Sequence, residues 1–148
     1  MKAHGLSDGM PPSVPPPRDG LRIVRPAVPA ELARVRATVS DWGRRAQLPA
    51  DVLVDLLLAV GEAAANVVDH AYRGTEPGPL QIEAWVRQGA GGRVVVARIT
   101  DAGHWRPRSA PAVERGRGLP MIRALAAQLD ITATGTGTEV CLELTVPD

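Results

Sequence analysis

Residues 51–72 read DVLVDLLLAVGEAAANVVDHAY, apolar almost all the way round. A helix of that composition belongs in the middle of a domain, because only a surrounding core can cover every side of it. One stripe breaks the pattern. Asp55, Glu62, Asn66, Asp69 and Arg73 recur at offsets of 7, 4, 3 and 4, which sets them on a single helical face. Arg73–Gly74 and Pro77–Gly78 then close the segment with turn-forming pairs. The spacing predicts a central helix whose one polar stripe is left for solvent or a ligand.

The flanking sequence supplies what such a helix would pack against. Upstream, residues 21–28 (LRIVRPAV) read as a short strand. Pro29 suits the first turn of a helix on which Leu32, Val35, Val39 and Trp42 form the apolar stripe, and Pro49 ends that region. Downstream, Leu80, Ile82, Ala84 and Val86 alternate as a strand does, a QGAGG loop follows, and Val95, Ala97, Ile99 and Asp101 share one face of the next strand. An acid thus ends a strand on its apolar side. Residues 102–118 form a loop, and a helix opens at Leu119–Pro120 with Ile122, Leu125, Ala126 and Leu129 as its apolar positions. The last two strands, DITAT and EVCLELTV, flank Gly135–Thr138. Hairpins mixed with helices predict an α+β fold, an α/β sandwich with a mixed, mostly antiparallel sheet covered on one face by three helices.

Composition narrows the functional classes. The 148 residues suit one domain, and a single cysteine, Cys141, excludes an internal disulfide and a Cys-based zinc cage. Seventeen basic against sixteen acidic side chains argue against a dedicated nucleic-acid binder. In the most apolar region the uncharged runs, Leu56–Gly61 and Ala63–Val68, fall far short of the roughly 20 residues of a membrane helix, and the N-terminus lacks the apolar core of a secretory signal. The expectation is a soluble cytoplasmic protein that contacts neither membrane nor nucleic acid. Five prolines within the first seventeen residues predict a flexible Pro-rich tail over residues 1–19, followed by one domain over 20–148. The near-neutral total hides an uneven layout: His104–Arg123 carries five Arg and one Glu, a local +4, while the rest of the chain is −3.

Three constellations carry possible chemistry. Glu62 and Asn66 lie one helical turn apart; the carboxylate can act as a general base, and the amide oxygen can ligate a hard cation. Taken alone, the pair reads first as a merely solvated face. Asp101-Ala-Gly103 places an inward carboxylate at a strand end, where it needs a donor from the backbone or from a ligand amino group. Gly116-Arg-Gly118-Leu119-Pro120 sets two glycines before a helix start, where free N–H groups and the helix dipole favour phosphate; it also reads as a plain loop. Neither a Walker A sequence nor a Rossmann fingerprint occurs, and the three His lack metal-ligand spacing.

The order of these motifs is more specific than any one of them. An acid–amide pair on the second helix, D-x-G after a strand, G-x-G before a helix and G-T before the last strand resemble the four nucleotide boxes of the GHKL (Bergerat-fold) ATPase superfamily. EAAANVVDHAY, DAGHWRP and RGRGLPMIRAL look most like the bacterial anti-sigma factor serine/threonine kinases, with a histidine-kinase-like ATPase domain. The resemblance runs from about Leu21 to Val146.

That resemblance implies ATP and Mg²⁺ as cofactors and a role for each matching residue. Asn66 would hold Mg²⁺ between the phosphates, Asp101 would accept the adenine amino group, and Gly103 would leave room for the base. Gly116, Arg117, Gly118 and Leu119 would form the phosphate lid, and Thr138 would support Asp101. Glu62 would take the proton from a substrate serine or threonine. Gly61 departs from the serine common before that acid. The implied function is a kinase that phosphorylates an anti-anti-sigma (STAS-domain) protein, sequesters a sigma factor and works as a homodimer. Two other readings stay open: a non-catalytic ATP-dependent binding switch, and a stand-alone histidine-kinase-like ATPase domain. The second is disfavoured because no His-bearing dimerisation helix precedes the domain in this sequence and His70 sits inside the nucleotide helix.

Overall fold

A computed structural model describes residues 16–104 and 118–147. Strand β1 (Leu21–Pro26) leads through a single 3₁₀ turn at Pro29–Glu31 into helix α1 (Leu32–Arg45). Val35, Val39 and Trp42 are its buried stripe, and Arg44 and Arg45 sit in its last turn, where cations meet the negative end of the helix dipole. Gln47, at φ 61°, reverses the chain in a left-handed conformation, and the Leu48 N–H returns to the Gly43 carbonyl. Helix α2 (Ala50–Asn66) follows, burying Leu53, Leu56, Val60 and a run of small residues, Ala59, Ala63 and Ala64, that lets it lie close to its neighbours. The predicted helix over 51–72 is therefore one element with a difference: after Asn66 the backbone widens into a π-helical turn, Val67–Ala71.

Strands β2 (Pro79–Gly89) and β3 (Gly92–Asp101) form a hairpin tighter than the sequence suggests, because both strands run into the QGAGG segment. Helix α3 (Gly118–Leu125) and the hairpin of β4 (Gln128–Thr134) and β5 (Gly137–Val146) complete the domain. The expected sheet forms, in the order β1-β2-β3-β5-β4, and its four pairings are all antiparallel. The chain crosses over α3 to lay β4 at the edge, and β5 fills the gap beside β3.

The helices cover one face. Leu80, Ile82 and Ala84 of β2, Val95, Ala97 and Ile99 of β3, and Val140, Leu142 and Leu144 of β5 meet Val39, Leu56, Val60 and Ile122 in a single core. The opposite face is carpeted differently. Arg98 and Glu83, partners across β2 and β3, are both buried, and Arg98 Nε and Nη2 each donate to Glu83 Oε1 at 2.8 Å. The Arg98 guanidinium also lies 5.2 Å from the centre of the Trp85 ring, within cation–π range. Trp85, Val96 and Cys141 form a small apolar cluster beneath this pair.

Burial, reinforced by the charge of Glu139, pushes the Cys141 thiol up to about 12 from its ordinary 9.0. The unfolded chain releases this proton near 9 and the folded chain holds it, so stability falls as pH rises above about 9. Urea titrations between about pH 7.5 and 10 are expected to show a steeper loss for the wild type than for Cys141→Ala. Parallel slopes would rule out this coupling.

Candidate functional site

The site residues gather where β3 ends and β5 begins, beside the π turn. Asp101, the last residue of β3, stands opposite Thr138 of β5, and both are buried. The Asp101 side chain, 5% exposed, turns back on its own loop: Oδ1 accepts the Gly103 N–H at 2.9 Å. A carboxylate offers about four acceptor positions, so this bond does not exhaust its capacity to meet an amino group.

Two glycines allow the close approaches here. A Cβ at Gly103 would overlap the Ala71 carbonyl oxygen, which accepts the His104 N–H at 2.8 Å. A Cβ at Gly137 would overlap the Asp101 carbonyl. Gly103 is thus required by the protein's own backbone, whatever room it leaves for a base. Tyr72, one residue beyond the π turn, reaches the same loop: its hydroxyl accepts the Ala102 N–H at 2.8 Å and donates to the Pro79 carbonyl. Burial raises the Tyr72 pKa above 10.0, outweighing the Ala102 bond that lowers it, and the nearby Asp101 charge raises it further. The phenol keeps its proton.

Asn66 is the last residue of α2, half-buried, at the point where the π turn begins. Glu62 lies one turn earlier on the same face of the helix. It lines a groove of about 140 Å³ between α1 and α2, walled by Leu32, Val35 and Arg36 on one side and Leu57 and Ala65 on the other. A Cβ at Gly61 would meet only the Arg36 guanidinium, at an ordinary 3.6 Å, so the missing serine reflects no steric demand. His70 is engaged by Arg73, whose Nη2 lies 2.9 Å from Nδ1.

Gly118 opens α3 and Leu119 follows in its first turn, while Gly116 and Arg117 lie outside the described residues. The structure therefore brings Asp101, Gly103 and Thr138 together, sets Asn66 at the end of α2 just before the π turn, and places Glu62 one turn earlier among the residues lining the α1–α2 groove. Sequence reasoning missed Tyr72 and Ala71. The one signal available for Tyr72 was its place at the end of EAAANVVDHAY, between Asp69 and Arg73 of the polar stripe. Among the described residues no three His, Cys, Asp or Glu side chains cluster as a metal cage, and no helix is long and apolar enough to cross a membrane. The donor set still fits Mg²⁺ held with phosphate oxygens, since one neutral amide oxygen leaves most of the coordination shell to ligand and water.

Comparison with known proteins agrees with this architecture. The family model for the histidine kinase-like ATPase domain matches residues 25–144. Two serine-protein kinases called RsbW, from Listeria monocytogenes serovar 1/2a and Listeria innocua serovar 6a, are 34% identical over 65 residues, 44% of this chain. The match spans 41% of each relative's length. Among solved structures, a protein with RsbU and RsbW domains from Mycobacterium tuberculosis superposes with a TM-score of 0.67 at 24% identity, covering 86% of this chain and 32% of that one. The histidine kinase domain of a blue-light activated kinase from Erythrobacter litoralis gives 0.54 at 22% identity, over 82% of this chain and 61% of that one. Both likenesses concern the fold.

Proposed function

This chain belongs to the histidine kinase-like ATPase domain family, and from that premise we propose that it is a protein kinase of the anti-sigma type. It transfers the γ-phosphate of ATP to a serine or threonine of a STAS-domain anti-anti-sigma protein, and it sequesters a sigma factor when that antagonist is absent. Residues 20–148 form the ATP-binding domain, behind a Pro-rich tail over 1–19, in a cytoplasmic homodimer. The observation that carries the reading is the convergence of Asp101, Gly103 and Thr138 at one end of the sheet, against the helix that bears Glu62 and Asn66.

In this reading Asp101 accepts a hydrogen bond from the adenine amino group, with Thr138 beside it. The amide oxygen of Asn66 holds Mg²⁺, which when bound neutralises phosphate charge. Gly116, Arg117, Gly118 and Leu119 cover the phosphates. The acceptor hydroxyl oxygen bonds to the γ-phosphorus, its proton passes to the Glu62 carboxylate, and the bond to the β,γ-bridging oxygen breaks to release ADP. Such a transfer rests mostly on positioning and charge neutralisation, with little covalent work for the protein.

The test combines calorimetry and transfer. ATP with Mg²⁺ is expected to bind with a Kd in the micromolar to low-millimolar range, about 4–8 kcal/mol. Radiolabelled γ-phosphate is expected to appear on Ser or Thr of a purified STAS-domain protein. ATP binding without transfer would leave the non-catalytic switch in place of the kinase, and no binding at millimolar ATP would remove both.

A further inference from the structure

Tyr72 ties the helix bearing Asn66 to the turn bearing Asp101, and although it ends the EAAANVVDHAY stretch, no nucleotide role attaches to it there. Its hydroxyl accepts from Ala102 and donates to Pro79, so a single phenol spans the end of the π turn, the D-x-G turn and the start of β2. Its ring is fixed from the side as well, because a Cβ at Gly78 would come within 2.6 Å of Cε1. On the other side of Gly103, the His104 N–H is held by the Ala71 carbonyl. The turn is therefore pinned at Ala102 and at His104 by consecutive residues of one segment, with Gly103 pressed between them. The Gly103 N–H in turn holds Asp101 Oδ1.

We propose that Tyr72 is the positioning residue for nucleobase selection: by anchoring the Ala102 amide, its hydroxyl fixes where the Asp101 carboxylate meets the base. This rests on the nucleotide reading above. A carboxylate attracts the exocyclic amino group of adenine and repels the carbonyl oxygen that guanine carries at the same place. Discrimination between them depends on the carboxylate's position, whereas phosphate and metal contacts are blind to the base. The bonded, protonated phenol supplies rigidity without adding charge beside Asp101.

Tyr72→Phe keeps the ring and removes both hydrogen bonds. Titration calorimetry of the full chain with Mg²⁺ is expected to show ATP affinity lowered about tenfold and GTP affinity nearly unchanged, so the ATP:GTP ratio falls by about the same factor. A purely structural role would lower the thermal midpoint of the nucleotide-free protein and leave the ratio intact. ATP and GTP affinities falling together, or neither changing, would overturn the assignment. If the variant does not fold, amide exchange on the wild type gives the answer: ATP, and not GTP, is expected to slow exchange at Ala102, and equal protection by both overturns it. A wild type that binds neither nucleotide sinks the nucleotide reading and this assignment with it. A wild type that prefers ATP beside a variant of unchanged preference sinks this assignment alone.

Discussion

Gly103→Ala abolishes measurable ATP binding and lowers the unfolding free energy by about 3 kcal/mol or more, in the range of severe backbone and packing defects. The added methyl would overlap the Ala71 carbonyl oxygen, and that oxygen cannot rotate aside as a side chain would. It belongs to the π turn and already receives the His104 N–H. Relief requires the D-x-G turn to leave α2, which takes the Asp101 carboxylate with it. Gly74→Ala is the control. Gly74 has φ 79° with nothing within 4 Å of its Cβ position, so alanine there costs about 1 kcal/mol of backbone strain and leaves ATP binding alone. Urea denaturation and calorimetry on the two variants decide the matter; a Gly103→Ala protein that behaves like Gly74→Ala would refute the close-approach argument.

Glu62→Ala lowers phosphoryl transfer by about 10²–10⁴-fold, the usual contribution of a general base, while ATP affinity stays within about twofold of wild type. The separation follows from where the residue lies along α2. Glu62 opens on the groove between α1 and α2, beside Leu32 and Arg36, while Asp101 and Gly103 lie at the far end of the helix and its π turn. A peptide hydroxyl entering that groove meets the carboxylate without disturbing the base end of the site. Single-turnover transfer and equilibrium binding measure the two quantities independently. Parallel loss of both would reassign Glu62 to nucleotide binding, and undiminished transfer would remove it from the proton path.

Local periodicity made much of this legible. The stripe from Asp55 to Asp69 marked α2 as the element around which the domain is assembled, and the alternation ending at Asp101 placed that acid on the covered face, where it is 5% exposed. Features set by distant pairing were not legible. Arg98 alternates with apolar neighbours as any solvent-facing residue would. Only the register that sets it across from Glu83 and over Trp85 turns it into a buried ion pair. The all-antiparallel order likewise depends on β5 entering beside β3, a non-local choice. Gly103 was read from the ligand's needs and is dictated as much by Ala71. The π turn left no trace in residue spacing, because its residues, VVDHA, suit an α-helix equally well.

That turn makes the stretch from Asn66 to Tyr72 a ruler. Surface loops absorb a residue gained or lost by bulging. Here the interval starts at the last residue of α2, Asn66, and its far end is held by Tyr72 on Ala102 and Pro79. One residue more or fewer would swing the tyrosine by about 100° around the helix axis, toward a different face. The number of residues in this interval is therefore as much a part of the site as their identities, and divergence among related chains is expected to change letters here before it changes length.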